Sequence, residues 1–421
     1  MANSSQLSKS LAKRLSNHRL FYVCRDIERA IGSEQGLKNY YIITNYSNLA
    51  SRMASQYQNI IIIKNKSTLD TAELLNHHET IKTIKPKDFV LVFKNNAIIE
   101  KACRTHKWKL LNPSSQLADK VESKVSQVEW LGSLAKFLPP HQISTCAQIQ
   151  WQHKKFILQF NHSHTGSGTF LIDSQKKLKE LQKKFSNRPV RIMDFISGPV
   201  FTNNNVVWGA KTLIGNISYQ ITGLMPFTDN KFSTIGNDFA LPETLLEKKQ
   251  VKQYAKIVMS IGKRLHKQGW KGLFGADIIM DAKTKRLYLL EINARQPAST
   301  GFESQLQNLH IKQQKDSHIN TFQAHFAALL GIKFQNYQLT AIQTGSQIVQ
   351  RVTAEKPYKN INEYWKKLKK LASTNPAVIN ILPYNNTAPG SDLARIQLSE
   401  GIMAKHGYFN KLGKEIQASI C

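Results

Sequence analysis

Two apolar segments, "LFGADIIMD" (273–281) and "RLYLLEIN" (286–293), are joined through the polar stretch "DAKTK". Paired as a hairpin centred near residue 284, they set Asp277 opposite Glu291. Directly opposed like charges destabilise a ladder. Apolar neighbours on both strands hold the two carboxylates partly out of water, which sharpens the repulsion. A fold that keeps this hairpin has to bring a cation to it. Period-two alternation sets Glu291 and Asn293 on one face, with Tyr288, Leu290 and Ile292 on the other. Asp277, Glu291 and Asn293 offer hard oxygen ligands of the kind Mg²⁺ takes, with phosphate and water completing its shell. Arg295, two residues further on, has the reach to hold a phosphate or carboxylate through two parallel hydrogen bonds. The alternative is an ordinary pairing of these acids with Lys or Arg, both abundant in the chain.

Upstream, residues 20–110 alternate short apolar runs, such as "YYIITN" (40–45), "NIIIIK" (59–64) and "DFVLVF" (88–93), with helix-compatible stretches. That alternation predicts a small parallel α/β domain. The next segment predicts one helix, capped by Ser114 or Ser115 and stopped at Pro139-Pro140. Strands "KKFILQF" (154–160) and "TFLID" (169–173) flank the loop "NHSHTGSG". A Lys-rich helix (174–186) and strands "PVRIMDFISG" (189–198) and "NVVWGAKTLIG" (205–215) follow. The loop's backbone N–H groups, unobstructed at Gly166 and Gly168, suit a phosphate cover; a plain hairpin loop is the other reading. Helices over 243–268 and 303–330 bracket the acidic hairpin, and a strand is expected at 346–357.

At 421 residues the chain exceeds one ordinary core. We divide it at 1–115, 116–200, 201–335 and 336–421. Lys and Arg number 58 against 28 Asp and Glu, a formal net charge of +30 that favours anionic partners. The charge is spread over amphipathic stretches such as "EKKQVKQYAK" and "EYWKKLKKLA", and no RNP-like, zinc-finger or basic-zipper pattern occurs. Nucleic acid is therefore not the favoured partner. No apolar run approaches the length of about 18 residues that a membrane span needs. Cys24, Cys103, Cys146 and Cys421 are scattered without a CxxC pair, which fits a reducing, cytoplasmic setting. The Ser-rich, basic N-terminus reads either as a first surface helix or as a transit segment.

In order, these pieces resemble the ATP-grasp superfamily, in the branch that contains biotin carboxylase and carbamoyl-phosphate synthetase. The similarity runs over roughly 20–357, and "GLFGADIIMDAKTKRLYLLEINARQP" carries it most specifically. The resemblance implies an ATP-grasp fold of mixed α/β and α+β class: a Rossmann-like N-terminal domain, a small lid and a C-terminal α+β subdomain. It implies ATP with Mg²⁺, or Mn²⁺ in its place, held by Asp277, Glu291 and Asn293. It assigns nucleotide contacts to Lys124 of "ADKVESK", to Gly166 and Gly168, and to the hinge residues Met193, Asp194, Phe195 and Ile196. It gives Arg295 and Arg351 the positioning of a carboxylate. Gln159 stands where the family usually carries a phosphate-binding Lys, so either another cation substitutes, or nucleotide affinity is lower, or the site is specialised. The residues after Arg295, "QPASTGFES", lack the acid and His of biotin carboxylases, so biotin carboxylation is not implied. The residues "SYQITG" and "STIGNDF" fall where relatives line the acceptor side, which makes Gln220, Asn237 and Asp238 candidate substrate contacts. The implied reaction activates a small carboxylate as an acyl phosphate and joins it to an amine, in a protein compatible with a homodimer. Two other classes remain open: a catalytically weak ATP-binding regulatory protein, and a nucleic-acid-binding protein.

Overall fold

Runs rich in Ile, Val, Tyr and Phe build the first layer. In the computed structural model, which describes residues 2–32, 37–161, 168–313, 318–353, 361–384 and 388–420, five strands form a parallel sheet. These are β1 (Leu20–Cys24), β2 (Tyr40–Asn45), β3 (Ile60–Ile63), β4 (Phe89–Val92) and β5 (Lys109–Leu110), in the order β3-β2-β1-β4-β5. One face closes on the helices Ala2–Leu15 and Thr321–Leu329, the other on Thr71–Asn76 and Ala97–Thr105. Strand order reverses between β1 and β4, so their carboxyl ends open a crevice where open α/β sheets bind ligands.

A small antiparallel sheet follows: β6 (His141–Thr145), β7 (Phe156–Phe160), β8 (Thr169–Ile172) and β9 (Pro189–Asp194), in the order β6-β9-β7-β8. The helix Gln175–Phe185 packs on it through Leu178, Leu181 and Phe185. The third sheet is antiparallel and has nine strands. It contains β10 (Val200–Trp208), β11 (Lys211–Leu213), β12 (Ser218–Thr222), β13 (Thr234–Asp238), β14 (Gly272–Met280) and β15 (Leu287–Asn293). After a short ladder of β16 (His318–Ile319) and β17 (Gln338–Leu339), the chain adds β18 (Ser346–Arg351), β19 (Val378–Pro383) and β20 (Asp392–Leu398). The order is β15-β14-β10-β12-β13-β18-β20-β19, with β11 on β10. Strands from either side of residue 336 share this sheet, because β18 pairs with β13. One face buries the helix Lys248–Lys267 and, at its far end, the helices Ile361–Thr374 and Lys411–Ile420. On the other face Asn204 reaches Glu303 of the helix Thr300–Gln313.

Several elements differ from their expected form. The strand expected over 205–215 is a hairpin of β10 and β11 that turns at Gly209 (φ 59°), and the helix expected over 243–268 is two, Leu241–Leu245 and Lys248–Lys267. The single helix expected after Pro113 is two helices, Ser115–Glu122 and Lys124–Leu131, separated by Ser123 with ψ 129°. Ser readily trades helical hydrogen bonds for other partners; here Gln127 Nε2 also donates to the Val121 carbonyl at 2.7 Å, completing the end of the first helix. The helix expected over 303–330 is likewise two, the second capped by Asn320. Alternation along β15 is broken by a bulge. The register passes from Asp277–Glu291 to Ile278–Leu289, leaving Leu290 as the extra residue. A bulge moves every side chain beyond it to the other face. Leu287 and Leu289, rather than Tyr288 and Leu290, therefore share the core with Ile292.

Candidate active site

The hairpin β14–β15 pairs Asp277 with Glu291 and Gly275 with Asn293. Lys124 Nζ lies 2.8 Å from Glu291 Oε1; the Lys side chain is 5% exposed and the Glu side chain 34%. The break at Ser123 aims it there, because Lys124 opens the second helix rather than continuing the first. Asn161 pins that helix start, accepting from Lys124 N (3.3 Å) through its carbonyl and from Val125 N (3.0 Å) through Oδ1. Asn161 directly follows β7, so the end of that strand and the start of the Lys124 helix are tied together. Arg295 pairs with Glu122, which also takes Lys94 Nζ at 2.7 Å.

The two carboxylates are electrostatically unlike. Burial and then the facing Glu291 raise Asp277 above its ordinary value. Its hydrogen bonds come from Thr202 Oγ1 (2.6 Å), Gln220 and Asn293 Nδ2 (3.4 Å), and no cation contacts it among the described residues. Burial also pushes Glu291 up, but Lys124, then Arg295 and Arg191, outweigh it and hold Glu291 below its ordinary value.

A buried cation faces Gln159 across the ladder. Arg191 on β9 faces Gln159 on β7. Its Nε and Nη2 donate to Gln159 Oε1 (3.1 and 2.7 Å), and its Nη1 donates to Gln127 Oε1 (3.0 Å). Nη2 also donates to the Leu290 carbonyl (3.1 Å), which lies at the bulge where the ladder register shifts. Arg191 is completely buried. Burial brings it down to about 10 while Glu291 opposes the shift, so it stays charged at neutral pH. Arg191, Glu122, Lys94 and Thr202 were not singled out from sequence; a charged residue inside the apolar run "PVRIM" was the available signal.

Asp277 and Glu291 with the Asn293 amide offer three protein oxygens. No group of three or more His, Cys, Asp or Glu suited to a metal occurs among the described residues. The donor set fits Mg²⁺ or Mn²⁺, whose remaining ligands would be phosphate and water. Asn293 presents its NH₂ to Asp277 and has to turn over to offer its oxygen.

Other expected residues are placed as follows. The Gly168 carbonyl accepts from Phe160 N at 3.0 Å and closes the base of the loop; Gly166 lies outside the described residues. Met193 is paired on both sides, with His141 and Ile157. Asp194 meets Lys154 at 3.0 Å, and Phe195 and Ile196 leave the sheet toward β10. Arg351 is not brought to the acidic pair. Three strands separate β18 from β14, and its guanidinium holds Asp392 (3.1 Å) and the carbonyls of Gly390 and Thr234. Asp238 is structural: it accepts from the backbone N–H groups of Ala240, Leu241, Ile402 and Met403.

This architecture is the ATP-grasp fold, with a Rossmann-like domain ahead of it. The sequence matches no family model and no curated protein. The fold superposes on carboxyaminoimidazole ribonucleotide synthase from Aspergillus clavatus, solved with ATP, at TM-score 0.63 and 15% identity, covering 96% of this chain and 98% of that one. It superposes on N5-carboxyaminoimidazole synthetase from Staphylococcus aureus, solved with ADP, at TM-score 0.64 and 12% identity (96% and 97% covered). For L-amino acid ligase from Bacillus licheniformis the values are 0.62 and 14% (96% and 97% covered).

Proposed function

We propose that the chain is an ATP-dependent ligase that activates a small carboxylate as an acyl phosphate and joins it to an amine. One observation carries the reading: two opposed carboxylates, Asp277 and Glu291, lie within a ring of Lys124, Arg191 and Arg295. It stands on a fold shared over 96% of the chain with enzymes solved with ATP or ADP.

A divalent cation bound between the acids would neutralise phosphate charge. The chain's own groups do the rest. Lys124 and the buried charge of Arg191 favour the triphosphate. Arg295, released from Glu122, orients the carboxylate whose oxygen attacks the γ-phosphorus as ADP leaves. The amine nitrogen then attacks the activated carbonyl and phosphate departs. Closure of the protein over the site would keep water from the intermediate. The chain works in this reading as a cytoplasmic enzyme; sedimentation decides between monomer and homodimer.

Asp277→Asn and Glu291→Gln should each lower Mg²⁺-dependent ADP release by about 100-fold or more, measured over a panel of carboxylates and amines, with melting curves unchanged in shape. Near-normal turnover in both variants rejects the reading.

A further inference from the structure

We propose that the crevice at the carboxyl ends of β1 and β4, facing β20, binds an α-amino acid, with its carboxylate on Arg395 and its ammonium on Glu28. This rests on the ligase reading and names the class of one substrate.

Arg395 carries the inference. Ala394, Ile396 and Leu398 enter the core, so alternation sends Arg395 and Gln397 to the opposite face. Arg395 is only 4% exposed, yet it makes no hydrogen bond among the described residues. Its Nε is enclosed and bare. The acid beside it, Asp392 Oδ2, stands 3.6 Å from Nη2, and Asp392 is already held by Arg351 at 3.1 Å. Of the five guanidinium donors Nε is the enclosed one, and leaving it unmet is disfavoured unless a ligand completes the group.

Glu28 is its counterpart. It is 9% exposed, in the turn Ile27–Arg29 that follows β1 at the point where strand order reverses. Among the described residues its carboxylate accepts one hydrogen bond, from Tyr384 Oη at 2.6 Å. The Tyr384 ring centre lies 6.0 Å from the Arg395 guanidinium. A buried cation and a buried anion thus flank one phenol without a hydrogen bond between them. The nearby charges largely answer one another: Arg25 pairs with Asp26 at 2.8 Å, Arg351 with Asp392, and Arg29 lies over the Phe93 ring. The turn is tied to the acidic hairpin, because Gln296, next to Arg295, donates Nε2 to the Arg29 carbonyl at 2.8 Å.

A simple carboxylate would satisfy Arg395 and be repelled by Glu28; a simple amine would meet the reverse. A ligand carrying both charges on neighbouring atoms answers both groups at once.

The test is calorimetric titration of the full chain with each common L-α-amino acid, with and without Mg²⁺ and AMP-PNP. The tightest ligand is then compared with its des-amino acid and its decarboxylated amine. Both truncated probes should bind about tenfold or more weakly than the amino acid. Glu28→Gln should drop the amino acid to the level of the des-amino acid and leave the latter unchanged. Arg395→Met should drop it to the level of the amine, and Arg395→Lys should recover part of the loss; melting curves report the fold. Equal binding of the des-amino acid to the wild type overturns the assignment, as does uniform weakening of all three probes in both variants. So does silence from every amino acid in both conditions. Failure to bind AMP-PNP counts against the ligase reading alone.

Discussion

Among single side chains, Arg191 is a fully buried charge with no acid in hydrogen-bond contact among the described residues. Four of its hydrogen bonds go to neutral oxygens, so its charge is held but not cancelled, and Glu291 is the acid that feels it. One retained charge several ångströms from a phosphate charge is worth roughly 2–4 kcal/mol at an effective dielectric near 20, and salt and water bring it toward or below the lower end. Arg191→Met should therefore raise the ATP concentration for half-saturation by about tenfold. Adding Gln159→Lys to that variant should return most of the loss, since the new ammonium occupies the same space between β7 and β15. Steady-state kinetics on the single and double variants decide it; a double variant as weak as the single one would falsify charge replacement. The acidic pair itself was legible, because a two-strand hairpin with a short turn leaves one register to choose. Lys124 was legible only through resemblance. Arg191 was not, because it meets Gln159 through the β7–β9 pairing, 32 residues apart in sequence. Glu122 and Lys94 depend on contacts between domains that periodicity cannot show.

At the scale of elements, the sequence showed where strands and helices lie more reliably than where they break. The split at Ser123 and the bulge at Leu290 each hang on one residue, yet together they aim Lys124 and free the carbonyl that holds Arg191. Neither leaves a strong mark in composition: Ser sits inside many helices, and a bulge looks like one more strand residue. Gly262 shows the same local hold of packing over propensity. It lies within the helix Lys248–Lys267, where Ala would be favoured by about 1 kcal/mol. A Cβ there would come within 2.2 Å of Thr212 Oγ1 and 2.9 Å of Thr212 Cβ, on the hairpin strand β11. Thr is β-branched and has little room to turn away. Gly262→Ala should thus lower stability, by about 1–3 kcal/mol of overpacking less the propensity gain. A rise in melting temperature would show that the hairpin yields instead.

For the whole molecule, alternation predicted the first layer of parallel strands; that strands on either side of residue 336 join one long antiparallel layer was not predicted. What alternation does not reach is how those layers are fastened, and Glu303 is one fastening. It is fully buried in the helix Thr300–Gln313, where Asn204 of β10 and both the backbone and side-chain N–H of Asn216 donate to it. Two residues earlier, a Cβ on Gly301 would meet the Ile31 carbonyl of the N-terminal domain at 2.6 Å, so the layers touch closely here. Burial pushes Glu303 from 4.5 up to about 7, against the pull of its amide donors. The folded state then holds a proton that the unfolded chain has released. Stability is fully present below the unfolded value and falls as pH rises through the folded one. Between pH 4.5 and 7 the loss amounts to about 3 kcal/mol at most. Glu303→Gln, neutral throughout, should flatten that part of the profile and gain on the wild type at pH 8 relative to pH 5. Melting temperatures of both proteins at the two pH values supply the comparison. Parallel profiles would mean that the amide donors keep Glu303 ionised in the fold, and that the layers are fastened by a carboxylate rather than by an acid.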